Sequence, residues 1–368
     1  MGTYLNPDNS KFQESINSDI YVDKTGLITY TNSVMHTQQK CICVSRPRRF
    51  GKSMAANMLS AYYSRGCDSK ELFQNLEIAE DDQFETYLNQ YDVIFLNVQE
   101  FLSQSKNIDE MISLIRRSVL WDLLGEYPEF RYFDTSNLTR TMQDVYQQTK
   151  CPFVVIIDEW DCVFREYKTD RETQERYLDF LRDLLKDKGY IHLAYMTGIL
   201  PIKKYGTHSA LNMFDEFSMI EPGPLASYVG FTETEVQKLC GQYDMELEEV
   251  KNWYDGYSFD KALSVYSPRS VVSCMRLGKI GNYWNQTETF EALQVYIDMN
   301  FDGLKDDVLS MIAGNQVPVN IGSFTNDMTT FRSEDDVLTL LIHLGYLGYD
   351  SDNKAVFIPN GEIRSEYV

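Results

Sequence analysis

The chain has 368 residues, 43% of them apolar, and a net charge of −21 from 55 acidic and 34 basic side chains. That length suits about two or three domains of ~100–200 residues each, with a sizeable core. The charge opposes general affinity for nucleic-acid phosphates, and no stretch approaches the ~18 consecutive apolar residues of a membrane span.

The N-terminus, Met1–Lys11, is polar and lacks the basic-then-apolar order of a signal peptide, so a soluble, cytoplasmic protein is expected. Short apolar runs then alternate with helical patterns up to about residue 225, which predicts a three-layer α/β domain. Cys41–Ser45 reads as a buried strand. Met54–Tyr63 follows as a helix with Met54, Met58, Leu59 and Tyr62 on one face. Val93–Val98 is a second strand, and Ile108, Met111, Ile112, Ile115, Val119 and Leu123 form a helical stripe. Phe153–Ile157 has the continuous apolar character of a central parallel strand. Tyr177, Phe180, Leu181, Leu184 and Leu185 mark a further helix, and Ile191–Met196 a fourth strand.

From about residue 230 the pattern becomes helical. Thr232, with Glu235 three residues on, is a capping box. Helices are expected at Leu247–Tyr254, Pro268–Arg276, Phe290–Met299 and Leu304–Ala313, with few strand candidates between them. The last segment shows a helix, Asp335–Leu344, and short strands at Tyr346–Tyr349 and Ala355–Ile358 across a polar Asp-Ser-Asp-Asn turn. That order suits a winged-helix-like unit. The seven cysteines have no Cys-x-x-Cys spacing and read as buried thiols. The histidines His36, His192, His208 and His343 are isolated, so a zinc site has little support.

The chemistry concentrates at two places. Cys41–Ser53 ends in Arg48-Arg49-Phe50-Gly51-Lys52-Ser53, between a strand and a helix, as a phosphate loop requires. Gly51 lets backbone approach phosphates, N–H groups at the helix start point at them, Lys52 reaches the β- and γ-phosphates, and Ser53 can ligate magnesium. Arg46 stands where the first glycine of such loops usually sits, and Pro47 is a candidate to shape the turn. A plain basic turn before a helix uses the same residue types. The second place is Phe-Val-Val-Ile-Ile-Asp-Glu-Trp-Asp at 153–161, a Walker B pattern. Asp158 would hold magnesium and Glu159 would activate water as general base, although acidic strand ends also serve as solvated turns. A kinase fits less well, because Glu159 beside Asp158 suits activation of water better than of a bound hydroxyl. Thr197, at the end of the fourth strand, reads equally as a γ-phosphate sensor or a turn cap. Arg48 and Arg49 are either exposed on a surface turn or paired with nearby acids such as Asp158 or Asp161, or at least one of them faces the nucleotide or an anionic partner.

These residues resemble the predicted AAA-ATPase-like proteins, abundant in anaerobic bacteria and related to archaeal and signal-transducing ATPases. The resemblance covers nearly the whole chain. It rests on Tyr21-Val22-Asp23-Lys24-Thr25, Arg46 through Ser53, Ile157-Asp158-Glu159-Trp160-Asp161, Met196-Thr197-Gly198-Ile199, Gly230-Phe231-Thr232, Trp253-Tyr254-Asp255-Gly256-Tyr257 and Ile358-Pro359-Asn360. An arginine in place of the first loop glycine is typical of that family. The resemblance implies an ASCE-type P-loop NTPase domain over residues 1–228, a helical domain over 229–315 and a winged-helix-like segment over 316–368. Members often continue past Ile-Pro-Asn into a PD-(D/E)XK nuclease-like domain. The sequence given stops at Val368 without that carboxylate–lysine pattern, so no cleavage is expected.

The leading expectation is an ATPase using ATP and Mg2+ to move its helical and winged-helix-like parts. The alternatives are a nucleotide-sensing switch with little turnover and a nucleic-acid-associated module. The last is opposed by the few basic residues, Arg332, Lys354 and Arg364, in the final segment. Nucleotide is the expected ligand, with a protein or nucleic-acid partner left open and no membrane. The Trp253–Tyr257 motif reads as a helix end with Gly256 in the left-handed conformation, or as a ligand contact.

Overall fold

The computed structural model describes residues 2–202, 211–259, 263–284, 301–324 and 331–367. The expected helix Phe290–Met299 and His208 lie outside the described residues. The chain divides into two compact units. The first comprises Met1–Val44, Lys52–Gly198 and Lys204–Glu216, and the second Ser45–Gly51, Ile199–Lys203 and Phe217–Val368. The division therefore crosses the predicted phosphate loop at the Gly51–Lys52 peptide.

The first unit is built on five strands: β1 (Cys41–Ser45), β2 (Asp92–Asn97), β3 (Phe153–Asp158), β4 (Ile191–Gly198) and β5 (Asp215–Phe217). Their order in the sheet is β2-β3-β4-β1-β5, and β3 pairs parallel with β2 and β4. β1 and β3 are buried at every position, as parallel strands covered on both faces must be. The outer edge of β2 is covered by the N-terminus, where Leu5 bridges Ile94 and Asn6 N donates to Val93 O at 2.7 Å. That closes an edge otherwise open to pairing.

The helix Lys52–Tyr63 packs on β3, β4 and β2. Helices Val98–Ser103, Ile108–Glu126, Leu138–Thr149 and Arg171–Leu185 each start on an Asn or Asp that caps a backbone N–H: Asn97, Asn107, Asn137 and Asp170. Such caps satisfy one of the donors a helix start leaves unpaired. Among the described residues, no helix is long and apolar enough to cross a membrane.

In the second unit the Thr232–Glu235 capping box forms in both directions, at 2.7 and 3.4 Å. Helices Glu233–Tyr243, Leu247–Tyr254, Pro268–Leu277, Leu304–Ile312, Glu334–Leu344 and Gly361–Tyr367 follow. Two small antiparallel sheets lie among them. One orders β6 (Phe231–Thr232), β8 (Leu263–Tyr266) and β7 (Tyr257–Phe259). The other orders β10 (Gly348–Asp350), β11 (Ala355–Phe357) and β9 (Val317–Pro318). The first of these sheets departs from the expectation of few strands. Its members have two to four residues, too short to show an alternating pattern.

Candidate functional site

Residues 46–51 connect β1 to the helix Lys52–Tyr63. Arg46 is wholly buried, and its Nη1 donates to the carbonyls of Ser45 (3.0 Å), Phe217 (3.0 Å) and Ser218 (2.9 Å). Its guanidinium also lies over the Phe259 ring, 4.8 Å from the centroid. The arginine at the first-glycine position is thus an internal brace. Arg46→Gly, which restores the more usual residue, is expected to destabilise the protein by about 2–3 kcal/mol, because buried carbonyls lose a charged donor. A calorimetric melt checks this, and an unchanged melting temperature contradicts it.

Phe50 is also fully buried, edge-on to Tyr257 at 5.4 Å and Trp284 at 6.5 Å, so its side chain is part of the second unit's core. Arg49 sits at φ +70°, a left-handed conformation that non-glycine residues rarely hold. Its Nη1 donates to the carbonyls of Tyr283 (2.7 Å) and Trp284 (3.4 Å). These carbonyls replace the acidic partners suggested by the sequence, Asp158 and Asp161. Arg48 is half-buried. Gly51 has φ +91°, which requires glycine, and the space where a Cβ would stand is open.

The first unit holds the rest. Lys52 is buried at the helix start. Burial lowers its pKa, while the nearby carboxylates of Glu159, Asp161 and Asp158 pull it back up. Asp158 ends β3 and is 1% exposed. Burial pushes its pKa up, opposed by a hydrogen bond from Ser53, whereas the neighbouring Glu159 pushes the same way as burial. Glu159 follows at φ +53°, its N–H donating to Asp158 Oδ1 at 3.0 Å. Its carboxylate is held by Arg165, whose Nε lies 3.3 Å from Asp161 Oδ2. Burial works against the Arg165 cation, but Asp161, Glu159, Cys162 and Glu166 together leave its pKa raised.

Thr197 is opposite Asp158 in the β3–β4 register, and Asn97 is opposite it in β2. Polar side chains from three parallel strands therefore line up where the strands end, the edge at which open α/β sheets bind ligands. Thr197 is fully buried, and its Oγ1 has no hydrogen-bond partner among the described residues. Its carbonyl accepts from Trp160 N at 3.1 Å, which ties the Asp-Glu-Trp-Asp turn to β4.

Lys52, Ser53, Asp158, Glu159 and Thr197 were singled out from sequence. Arg165 and Asn97 were not. Arg165 stands four residues after Asp161 on a helical turn, a spacing that could have signalled the pair. All seven cysteines are free, five of them buried. His36 and His192, read as isolated, meet edge to face at 4.3 Å. Burial, then His36, then Lys40 push His192 down to about 4. Among the described residues, no cluster of three or more His, Cys, Asp or Glu side chains could hold a metal.

β4 between β1 and β3, a glycine–lysine–serine turn entering the helix after β1, and an acidic pair at the end of β3 define an α/β domain of the P-loop NTPase class. The chain belongs to the family described as Predicted AAA-ATPase, which matches residues 9–207. A curated relative, an "Uncharacterized protein in vnfD 5'region" of Azotobacter chroococcum mcd 1, is 22% identical over 280 residues, covering 73% of this chain and 51% of the relative. The chain thus spans about half the length of that relative. Among solved structures, the Aeropyrum pernix ORC2 protein in its ADPNP–ADP complexes is similar with a TM-score of 0.38 and 13% identity, over 99% of this chain and 98% of that one. C. elegans PCH-2 is similar with a TM-score of 0.30 and 11% identity, over 92% and 72%. The Aeropyrum pernix ORC1 protein in complex with DNA is similar with a TM-score of 0.31 and 9% identity, over 100% and 97%.

Proposed function

We propose that the chain binds ATP at Arg48–Ser53 and, with magnesium, hydrolyses it. The observation that carries this reading is the cluster in the first unit. There Lys52 is buried within reach of Asp158, Glu159 and Asp161, and Ser53 bonds Asp158. A lysine at a helix start, where backbone N–H groups point outward, is suited to phosphate oxygens. The family match supports nucleotide as the ligand.

The Ser53 hydroxyl and the Asp158 carboxylate supply the all-oxygen donors that magnesium takes, and one carboxylate with substrate phosphates is its usual complement. Burial raises the Asp158 pKa, a shift that a cation held by the pair would oppose. Held there, magnesium would neutralise developing phosphate charge. Glu159 would accept the proton of the attacking water. The Thr197 hydroxyl, buried without a partner among the described residues, would gain one from the γ-phosphate or that water. In this reading residues 1–228 form the ATPase domain, and the helical (229–315) and winged-helix-like (316–368) parts respond to nucleotide state.

One observation favours a second reading, a nucleotide-sensing switch: Arg165 already holds the Glu159 carboxylate, so the proposed base has a partner before any water arrives. Steady-state phosphate release from ATP and magnesium separates the two. Sustained release supports the ATPase, binding without sustained release supports the switch, and absence of binding contradicts both. A nucleic-acid module is less supported, since Arg364, among the few cations of the last segment, donates to Ile312 O at 3.1 Å.

A further inference from the structure

The motifs Trp253–Tyr257 and Ile358–Asn360 pack on one another within the second unit. Gly256, at φ +124°, comes so near Pro359 that a Cβ would stand 1.9 Å from its carbonyl oxygen. Close approach to the second motif therefore demands this glycine. Asn360 Nδ2 donates to Tyr254 O at 3.3 Å, and its Oδ1 accepts from Ile363 N at 2.9 Å at the start of the helix Gly361–Tyr367. Trp253 Nε1 and Tyr254 OH both donate to Gly281 O, at 3.1 and 2.8 Å. The first motif thus holds Gly281, just ahead of Tyr283 and Trp284.

Glu362, on that last helix, is 2% exposed. Its Oε1 accepts from Tyr283 N at 2.7 Å and Trp284 N at 3.0 Å. The Tyr283 carbonyl belongs to the same peptide group as the Trp284 N–H, and it accepts from Arg49 at 2.7 Å. One peptide thus links the buried carboxylate to the guanidinium, and each bond polarises the peptide to strengthen the other. Arg49 carries a left-handed backbone next to Phe50 and Gly51, a conformation that persists only where surrounding contacts over-determine it.

We propose that Glu362 is a positioning residue for the phosphate loop: through the 283–284 peptide it anchors Arg49, and so holds the loop in its turn ahead of Gly51 and Lys52. Burial pushes the Glu362 carboxyl up to about 7 against the hydrogen bonds of Tyr283, Ser270 and Trp284, with Glu366 adding to the rise. Glu362 also favours the charged form of Arg49, whose pKa is lowered by burial and by Arg269. The proposal rests on the nucleotide-binding reading above.

The test is calorimetric titration of ATP with magnesium into the full chain, its E362Q, E362A and R49A variants, and both Glu362 changes in the R49A background. An amide oxygen accepts less strongly than a carboxylate and an alanine not at all, so affinity is expected to fall roughly 3-fold in E362Q and roughly 10-fold in E362A. In the R49A background both losses should shrink below about 2-fold, since contacts in one network are not additive. Losses of full size in that background, or affinities unchanged while the melting temperature falls, overturn the proposal. Should E362A fail to fold, the E362Q pair makes the same comparison. K52A separates the two failures. If K52A abolishes binding while the Glu362 variants match the parent, only the positioning role is lost. A parent that does not bind ATP overturns both.

Discussion

Glu159→Gln is expected to retain ATP–magnesium binding and to lose about 10²–10⁴-fold in turnover, the range for removing a general base. The side chain follows the last residue of β3, on a backbone at φ +53° that few residues other than glycine, Asn or Asp adopt. Glutamine keeps an oxygen that can accept from Arg165, so the substitution removes the base with little change to the packing. Steady-state phosphate release and nucleotide affinity, measured on the same preparation, make the comparison. Full turnover in the variant would move the base role elsewhere, with Asp161 the next candidate. Asp158→Asn should behave differently, because its carboxylate is bonded by Ser53: the expected loss is in magnesium dependence.

Lys52→Ala should weaken ATP–magnesium binding by at least ~1.5–3 kcal/mol, the scale of a charge-assisted hydrogen bond. Lys52 is buried, which lowers its pKa, and the acidic side chains of Glu159, Asp161 and Asp158 oppose that shift. Without it, phosphates would lose the cation at the helix start, leaving Arg165 on Glu159 and Asp161. The change is readable as ligand-induced stabilisation. At a nucleotide concentration about 100 times the parent's Kd the parent gains ~2.7 kcal/mol, whereas a variant weakened about 100-fold gains only ~0.4 kcal/mol. Equal ATP-induced shifts in melting temperature for both proteins would remove Lys52 from the site.

Much of the first unit was legible because its strands are long, apolar and flanked by chemistry. Phe153–Asp158 could be recognised by five apolar residues and an acid, and Gly51-Lys52-Ser53 by its place between strand and helix. β5 was missed because Asp215-Glu216-Phe217 has one apolar residue, and its pairing depends on β1 from far earlier in the chain. The β6-β8-β7 sheet escaped for the same reason of length. At the site, side-chain type was readable but direction was not. Four basic residues, Arg46, Arg48, Arg49 and Lys52, look alike in sequence. In the structure Arg46 is locked on carbonyls, Arg49 on a different pair of carbonyls, and Lys52 faces the acids. Those differences arise from residues 217–218 and 283–284, which no local pattern around the loop reveals. The Trp253–Tyr257 motif was half legible: the helix ends at Tyr254, but Gly256 answers to Pro359 more than to a helix cap.

The central claim, that this chain binds nucleotide through Lys52 and the acidic end of β3, is tested most directly by calorimetric titration of ATP with and without magnesium into the parent chain and Lys52→Ala. The account predicts saturable binding at one site per chain, weaker when magnesium is withheld and at least about 10-fold weaker in the variant. Absence of binding in the parent, or the same affinity in both proteins, would contradict it.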